Sequence, residues 1–263
     1  LIERGDVERG GQMVRVLRDF WWARGRLEEG RAWIARVLAT PRLALLSVTR
    51  AAMLDHAGAL AFASGDHDAS RESFEESLAI RRQIGTSSEV ASSLHHLANV
   101  VRWGQGNSEL ARVLLEECLA QAREAEDRVM AGAALMPLGA LAVERGDVEA
   151  AHALLAEGMA IFAAAQLTMG FPLSLEEFAA LAAVEGQPDH ALRLFGAGAR
   201  QHERLATIQL PYIKAWVADY AAMARQALGE EQAATAWAEG QTLSLEQAIA
   251  YALGEQPTSQ VGQ

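Results

Sequence analysis

The sequence predicts an all-α fold, a right-handed superhelical array of about six antiparallel helix pairs closed by a C-terminal capping helix. Three observations predict it. The first is a short junction that recurs five times, as RGRLEEG from Arg24, SGDHDAS from Ser64, QGNSELA from Gln105, RGDVEAA from Arg145 and EGQPDHA from Glu185; its glycines, Gly25, Gly65, Gly106, Gly146 and Gly186, stand 40, 41, 40 and 40 residues apart, the spacing of a repeat array. The second is a set of columns around those glycines. Five residues on come Gly30, Ser70, Ala111, Ala151 and Ala191, all small, and nine on come Ile34, Phe74, Leu115, Leu155 and Phe195, all large and apolar. A small residue lets two helices approach and the large one fills the space beside it. Seven before each glycine stand Arg18, Gly58, Asn99, Gly139 and Ala179, small in three copies and polar in two. The third is composition: 51% of residues are hydrophobic, with three Tyr and six Pro, which favours helix over strand.

In order, residues 10–23 (GGQMVRVLRDFWWA) form a helix, with Val14, Leu17, Phe20 and Trp21 at helical spacing, and 27–39 its antiparallel partner. Thr40 and Pro41 break the chain. The next pairs run over 47–63 with 67–84, 88–103 with 108–125, and 128–144 with 148–165. Asp66 and Asn107 follow their glycines and can cap the oncoming helices. Pro137 should kink its helix or remove one backbone bond. In QLTMGFPLS, Gly170 and Pro172 delay the next helix to 175–185, and Pro188 suits the first turn of its partner, which runs to about 207. A sixth, degenerate pair covers 211–228 and 230–239, joined at Gly229. Ser244 and Gln247 give a capping box to a last helix over 244–253, read as the cap on the array's apolar end. Residues 1–253 thus read as one continuous repeat domain and 254–263 as a flexible tail.

Helix pairs joined at G-D-x-x-x-A with a small residue seven positions earlier resemble the tetratricopeptide family, here with a period longer than its usual 34. The stretches DFWWARGRLEEGRAWIARVLA (Asp19 to Ala39) and AWAEGQTLSLEQAIAYAL (Ala236 to Leu253) are similar to the segments that open and close the repeat region of MalT-like, LuxR-type and AfsR-type bacterial regulators. That resemblance implies a non-enzymatic module that binds a protein, a peptide or a small effector and passes the event to an ATPase domain before it and a DNA-binding domain after it. Neither domain is legible in this sequence. It contains no G-x-x-x-x-G-K-[ST], and ten residues after Leu253 are too few for a helix-turn-helix. Leu1 is not an initiator Met and no apolar leader follows, so the chain reads as a piece of something longer.

Charge and cysteine use exclude several classes. Thirty-four acidic against 23 basic residues give a formal charge of −11, which repels phosphate backbones and argues against nucleic-acid binding by this segment. No apolar run is long enough for a membrane span, and the single Cys118 cannot form an internal disulfide, so a cytoplasmic setting is expected. No cofactor is expected. No two histidines sit three or four residues apart, His95 and His96 point to different faces, and Cys118 occupies a column with Val37, Ser77, Gly158 and Gly198, so the thiol reads as packed rather than metal-binding. Ser64, Asp66 and His67 crowd one turn but suggest no oriented triad, and no catalytic residue is assigned.

The same resemblance places a concave groove on the first helices of the pairs. Its candidate columns lie three residues before the glycine (Trp22, Phe62, Trp103, Val143, Ala183) and ten before it (Arg15, Asp55, His96, Met136, Glu176), with Asp19, Gln12 and Ser93 six or thirteen before. Seven residues separate the two main columns, about two helical turns, so they share a face. Two readings stand: aromatic footholds with polar contacts for a partner, or aromatics packed between neighbouring helices. Self-association through apolar end faces near Trp21 and Trp22, giving a homodimer, is the alternative function.

Overall fold

The computed structural model describes residues 13–254 apart from 15, 19, 22, 23, 41–46 and 208. The regular structure of the described residues is helical, with no strand. Two compact units divide the chain, 1–130 and 131–263. In the first, helical positions between 13 and 21 precede α1 (Leu27–Leu38), α2 (Val48–Ala63), α3 (His67–Ile84), α4 (Ser87–Asn99), a π-helical turn (Val100–Gly104) and α5 (Ser108–Glu124). The second holds most of α6 (Arg128–Glu144), then α7 (Val148–Ala164), a 3₁₀ turn (Thr168–Gly170), α8 (Phe171–Val184), α9 (Pro188–Leu205), α10 (Pro211–Leu228), α11 (Glu230–Thr242) and α12 (Leu245–Ala252). The flexible tail expected over 254–263 lies, beyond Gly254, outside the described residues.

Each junction closes one helix and opens the next within two residues. Gly65, at φ 82°, places its own N–H on Phe62 O and the following Asp66 N–H on Ala61 O, the paired bonds of a Schellman ending. The Asp66 carboxylate then accepts from Ala69 N–H and caps α3. Gly106 with Asn107 and Gly146 with Asp147 carry out the same two tasks. The turns between pairs have a period of their own: Glu126, Gln166 and Ala206 adopt positive φ (55°, 53° and 49°) without being glycine.

The packing columns are where the spacing puts them. Ser70, Ala111, Ala151 and Ala191 are buried, as are Ile34, Phe74, Leu115, Leu155 and Phe195. A Cβ at Gly58 would overlap the Phe74 ring and one at Gly139 the Leu155 side chain, so the column seven before the glycine is small because the large residue of the partner helix lies against it.

The one 41-residue interval has a physical origin. The π-helical turn at Val100–Gly104 takes up an extra residue inside the helix. The hydrogen bonds report the slip: Ser77 Oγ donates to Ala51 O (3.1 Å) and, one repeat later, Cys118 Sγ donates to Ala91 O (3.2 Å). The donors are 41 apart and the acceptors 40. Upstream of the turn the true counterpart of Gly58 is therefore the buried Ala98 rather than Asn99, and that of Asp55 is His95 rather than His96.

Two local expectations need correction. The helix placed at 175–185 begins at Phe171, because Pro172 falls in its first turn, where its missing N–H costs nothing. Pro137 lies inside α6, where the sequence places it. The sixth pair is not a packed hairpin. α11 packs chiefly on α9, where Gly196 and Gly240 let the two backbones touch, whereas α10 lies against α8 and α9. The capping box of Ser244 and Gln247 is formed, and α12 covers parts of α8 and α9.

Candidate functional site

In the first unit the sequence-predicted residues Asp55, Ser93 and His96 meet around a residue that the sequence reading did not select, Arg81 of α3. Its Nη2 lies 2.5 Å from Asp55 Oδ2, and its Nη1 donates to Ser93 Oγ (2.9 Å) and Glu89 O (3.2 Å). Both side chains of the ion pair are about nine-tenths buried, so screening by water is weak and the three helices α2, α3 and α4 are tied at one point. His96 stacks flat on Phe74, with centroids 5.1 Å apart, and meets His95 edge-on at 5.7 Å. Burial pushes His95 down to about 3, aided by the neighbouring His96. Burial also lowers His96, with the Asp55 carboxylate opposing it.

Phe62 sits edge-on to His67 at 5.4 Å, and His67 lies over Gly104, where a Cβ would strike its ring. Trp103, in the π-helical turn, has the Arg102 guanidinium 4.1 Å from its ring centroid. Both aromatics are half-buried, as is His96. Arg15, Asp19, Trp22 and Gln12 lie outside the described residues.

In the second unit the candidate columns sink. Met136, Val143, Glu176 and Ala183 are all buried, and Met136 lies against Gly158 of α7. Glu176 repeats the place of Asp55, and His202, sixteen residues after its junction glycine, repeats the place of Arg81. Gln209 Nε2 donates to Glu176 Oε1 and Oε2 (2.7 and 2.9 Å) and lies 3.0 Å from His202 Nε2, while His202 Nδ1 is 2.5 Å from Thr207 Oγ1. His202 Nε2 also lies 3.4 Å from Glu176 Oε2, so the ring, the amide and the carboxylate form one cluster. The sequence signal for both clusters is the column sixteen after the glycine, which is charged or polar where the column ten before it is acidic.

These geometries sit in an array of short helix pairs whose first helices carry the candidate columns. Residues 49–124 match the tetratricopeptide repeat family. The match spans α2 to α5 and includes the Asp55–Arg81 cluster. A 119-residue stretch is 36% identical to proteins of Mycobacterium bovis and of two Mycobacterium tuberculosis strains named as HTH-type transcriptional regulators. It covers 43% of this chain and 13% of each of those proteins, so the chain spans a small fraction of the relatives it matches. Among solved structures, BtubC (BKLC) from P. vanneervenii superposes with a TM-score of 0.60 at 17% identity, over 79% of this chain and 86% of that one. A kinesin-light-chain-type protein of Podosopora anserina with nearly identical TPR-like repeats gives 0.55 at 20% identity, over 77% and 97%. The fold is tetratricopeptide-like.

Among the described residues no group of three His, Cys, Asp or Glu could hold a metal ion, and no helix is long and apolar enough to cross a membrane. Cys118 is buried, and burial pushes its thiol up to about 12. A cavity of about 190 Å³ opens in the second unit beside the ion pair of His152 Nε2 and Glu185 Oε1 (2.8 Å) and beside His190, which stacks on Tyr251.

Proposed function

We propose that this chain is a non-enzymatic binding module of a bacterial transcriptional regulator of the MalT-like, LuxR-type or AfsR-type kind, working in the cytoplasm as one continuous repeat domain. Its partner is a peptide or protein segment, or a small effector, held on the first helices of the pairs in the first unit. The observation that carries the reading is the set of half-buried side chains there, Phe62, His96 and Trp103, beside the Asp55–Arg81 ion pair that ties the helices together. Side chains with one wet face and one packed face present area and hydrogen bonds without a large ordering cost on binding. Occupation of that face is read by neighbouring ATPase and DNA-binding domains in the parent protein, through a change in curvature or in domain contacts.

The test is a peptide selected on the purified chain from a displayed library and titrated against variants. Trp103→Ala and Phe62→Ala should each weaken binding about tenfold, the scale of an aromatic anchor, while Trp33→Ala on α1 leaves it unchanged. Equal affinity for all three variants would sink the assignment. A specific observation also favours self-association: Met13, Val16, Phe20 and Trp33 are large, apolar and exposed. Light scattering at several concentrations separates the two readings, since a dimer broken by Phe20→Glu and Trp33→Glu would transfer the weight to assembly.

A further inference from the structure

In the first unit the columns ten and three before the glycine, with His95 in its corrected register, supply Asp55, His95, Phe62 and Trp103, of which the two aromatics are half-buried. In the second unit the matching residues Met136, Glu176, Val143 and Ala183 are only 4, 3, 2 and 8% exposed. The chain itself reaches onto that face. Gln209 grips both oxygens of Glu176, and seven residues later Trp216 Nε1 donates to Glu144 Oε1 (3.0 Å), next to Val143. Trp216, Val217 and Tyr220 then rest on the apolar core of the unit, the Trp216 and Tyr220 rings 4.9 Å apart.

α10, which carries these side chains, is attached unlike its neighbours. Its fully buried positions are the alanines Ala221 and Ala224, while its large side chains remain half-buried. Its neighbour in sequence, α11, packs chiefly on α9 across the Gly196 and Gly240 contact instead of forming a hairpin with it. A helix held by Trp216, Tyr220 and two buried alanines, by one hydrogen bond from Trp216 to a carboxylate and by Arg225 over the Trp237 ring, and preceded by Gln209 with two bonds to another carboxylate, lies over small and apolar residues in the manner of a helix docked in a groove.

We propose that the segment from Gln209 to Tyr220 is a built-in occupant of this face, and that the face accepts in exchange an amphipathic helix from a partner protein. That partner would carry a tryptophan in the place of Trp216 and, seven residues before it, a side-chain N–H donor for Glu176. The proposal rests on the reading of the chain as a partner-binding module and names the chemistry of one partner.

The probe is a fluorescein-labelled peptide with the sequence of residues 209–223, titrated into the full chain and into its Gln209→Ala, Trp216→Ala double variant. Opening the strap raises the binding-competent fraction, so the variant should bind the peptide at least about tenfold more tightly than the wild type. A peptide carrying Trp216→Ala should not bind. Equal affinity for both chains, no binding by a folded variant, or a double variant that unfolds would each overturn the proposal, the last because it makes α10 an integral core helix. Hydrogen exchange on the wild type supplies a second reading: the amides of α10 should exchange faster than those of α8 and α9, and equal protection overturns the proposal. Phe62 and Trp103 take no part in these measurements, so a failed strap leaves the first-unit site standing, and loss of that site leaves the strap testable.

Discussion

His95 is a titratable ring placed where its charged form has lost its water. Its folded-state value, about 3, lies below the ordinary 6.5. Between those two values the unfolded chain binds a proton that the folded chain refuses, so stability falls as the pH drops from about 6.5 towards 3 and is fully retained above that window. The slope from one such group is at most about 1.4 kcal/mol per pH unit. Urea melts of His95→Gln from pH 7 to pH 4 should therefore show a shallower loss than the wild type, and parallel curves would mean that the ring is hydrated. Cys118 gives a second check at the same scale. With its sulfur bonded to Ala91 O and its thiol pushed up by burial, it should resist iodoacetamide at pH 8 in the folded chain and react on denaturation. The cysteine's packing role is legible from its column in the sequence. The Arg81 cluster is not, because its partners lie on three different helices and only folding brings them together.

The helices owe their limits to two kinds of turn, and only one announces itself. Gly146, at φ 71° with nothing near its missing Cβ, stands in a conformation that costs an L-residue about 1–2 kcal/mol. Gln166 occupies the same kind of backbone at φ 53° and bears that cost. Gly146→Ala should thus lower stability by about 1 kcal/mol, and Gln166→Gly should raise it by some tenths of that to about 1 kcal/mol; thermal melts of the two variants check opposite signs at like backbone angles. Glycines at 40-residue spacing made the first kind of turn readable. The Glu126, Gln166 and Ala206 turns share the period but no residue type, so nothing in composition marks them. The start of α8 was misplaced for a related reason, since a proline reads as a breaker until it is seen in a first turn.

Across the whole molecule, periodicity carries the helix pairs well and the last third poorly. As far as α9 each pair repeats one plan, and spacing alone locates the partners. Beyond it the close approach of Gly196 and Gly240 redirects α11 onto α9, a decision made by two glycines that look unremarkable in the sequence. The candidate site divides in the same way. Its columns can be counted along the chain, but which of them stay accessible depends on what the chain later lays across them, and the first and second units differ in this respect.

The junctions leave no slack. At Gly65, Gly106 and Gly146 a helix is closed, the chain reverses and the next helix is capped within two residues. A residue added to such a turn has nowhere to go, so a change in length must be absorbed by a helix, as it is at Val100–Gly104. The widened coil there shifts the closing bonds of the next junction back by one residue, with Gly106 N–H on Arg102 O and Asn107 N–H on Val101 O, while Asn107 still caps the helix that follows. In this repeat the extra residue is therefore carried by a rod and not by a corner.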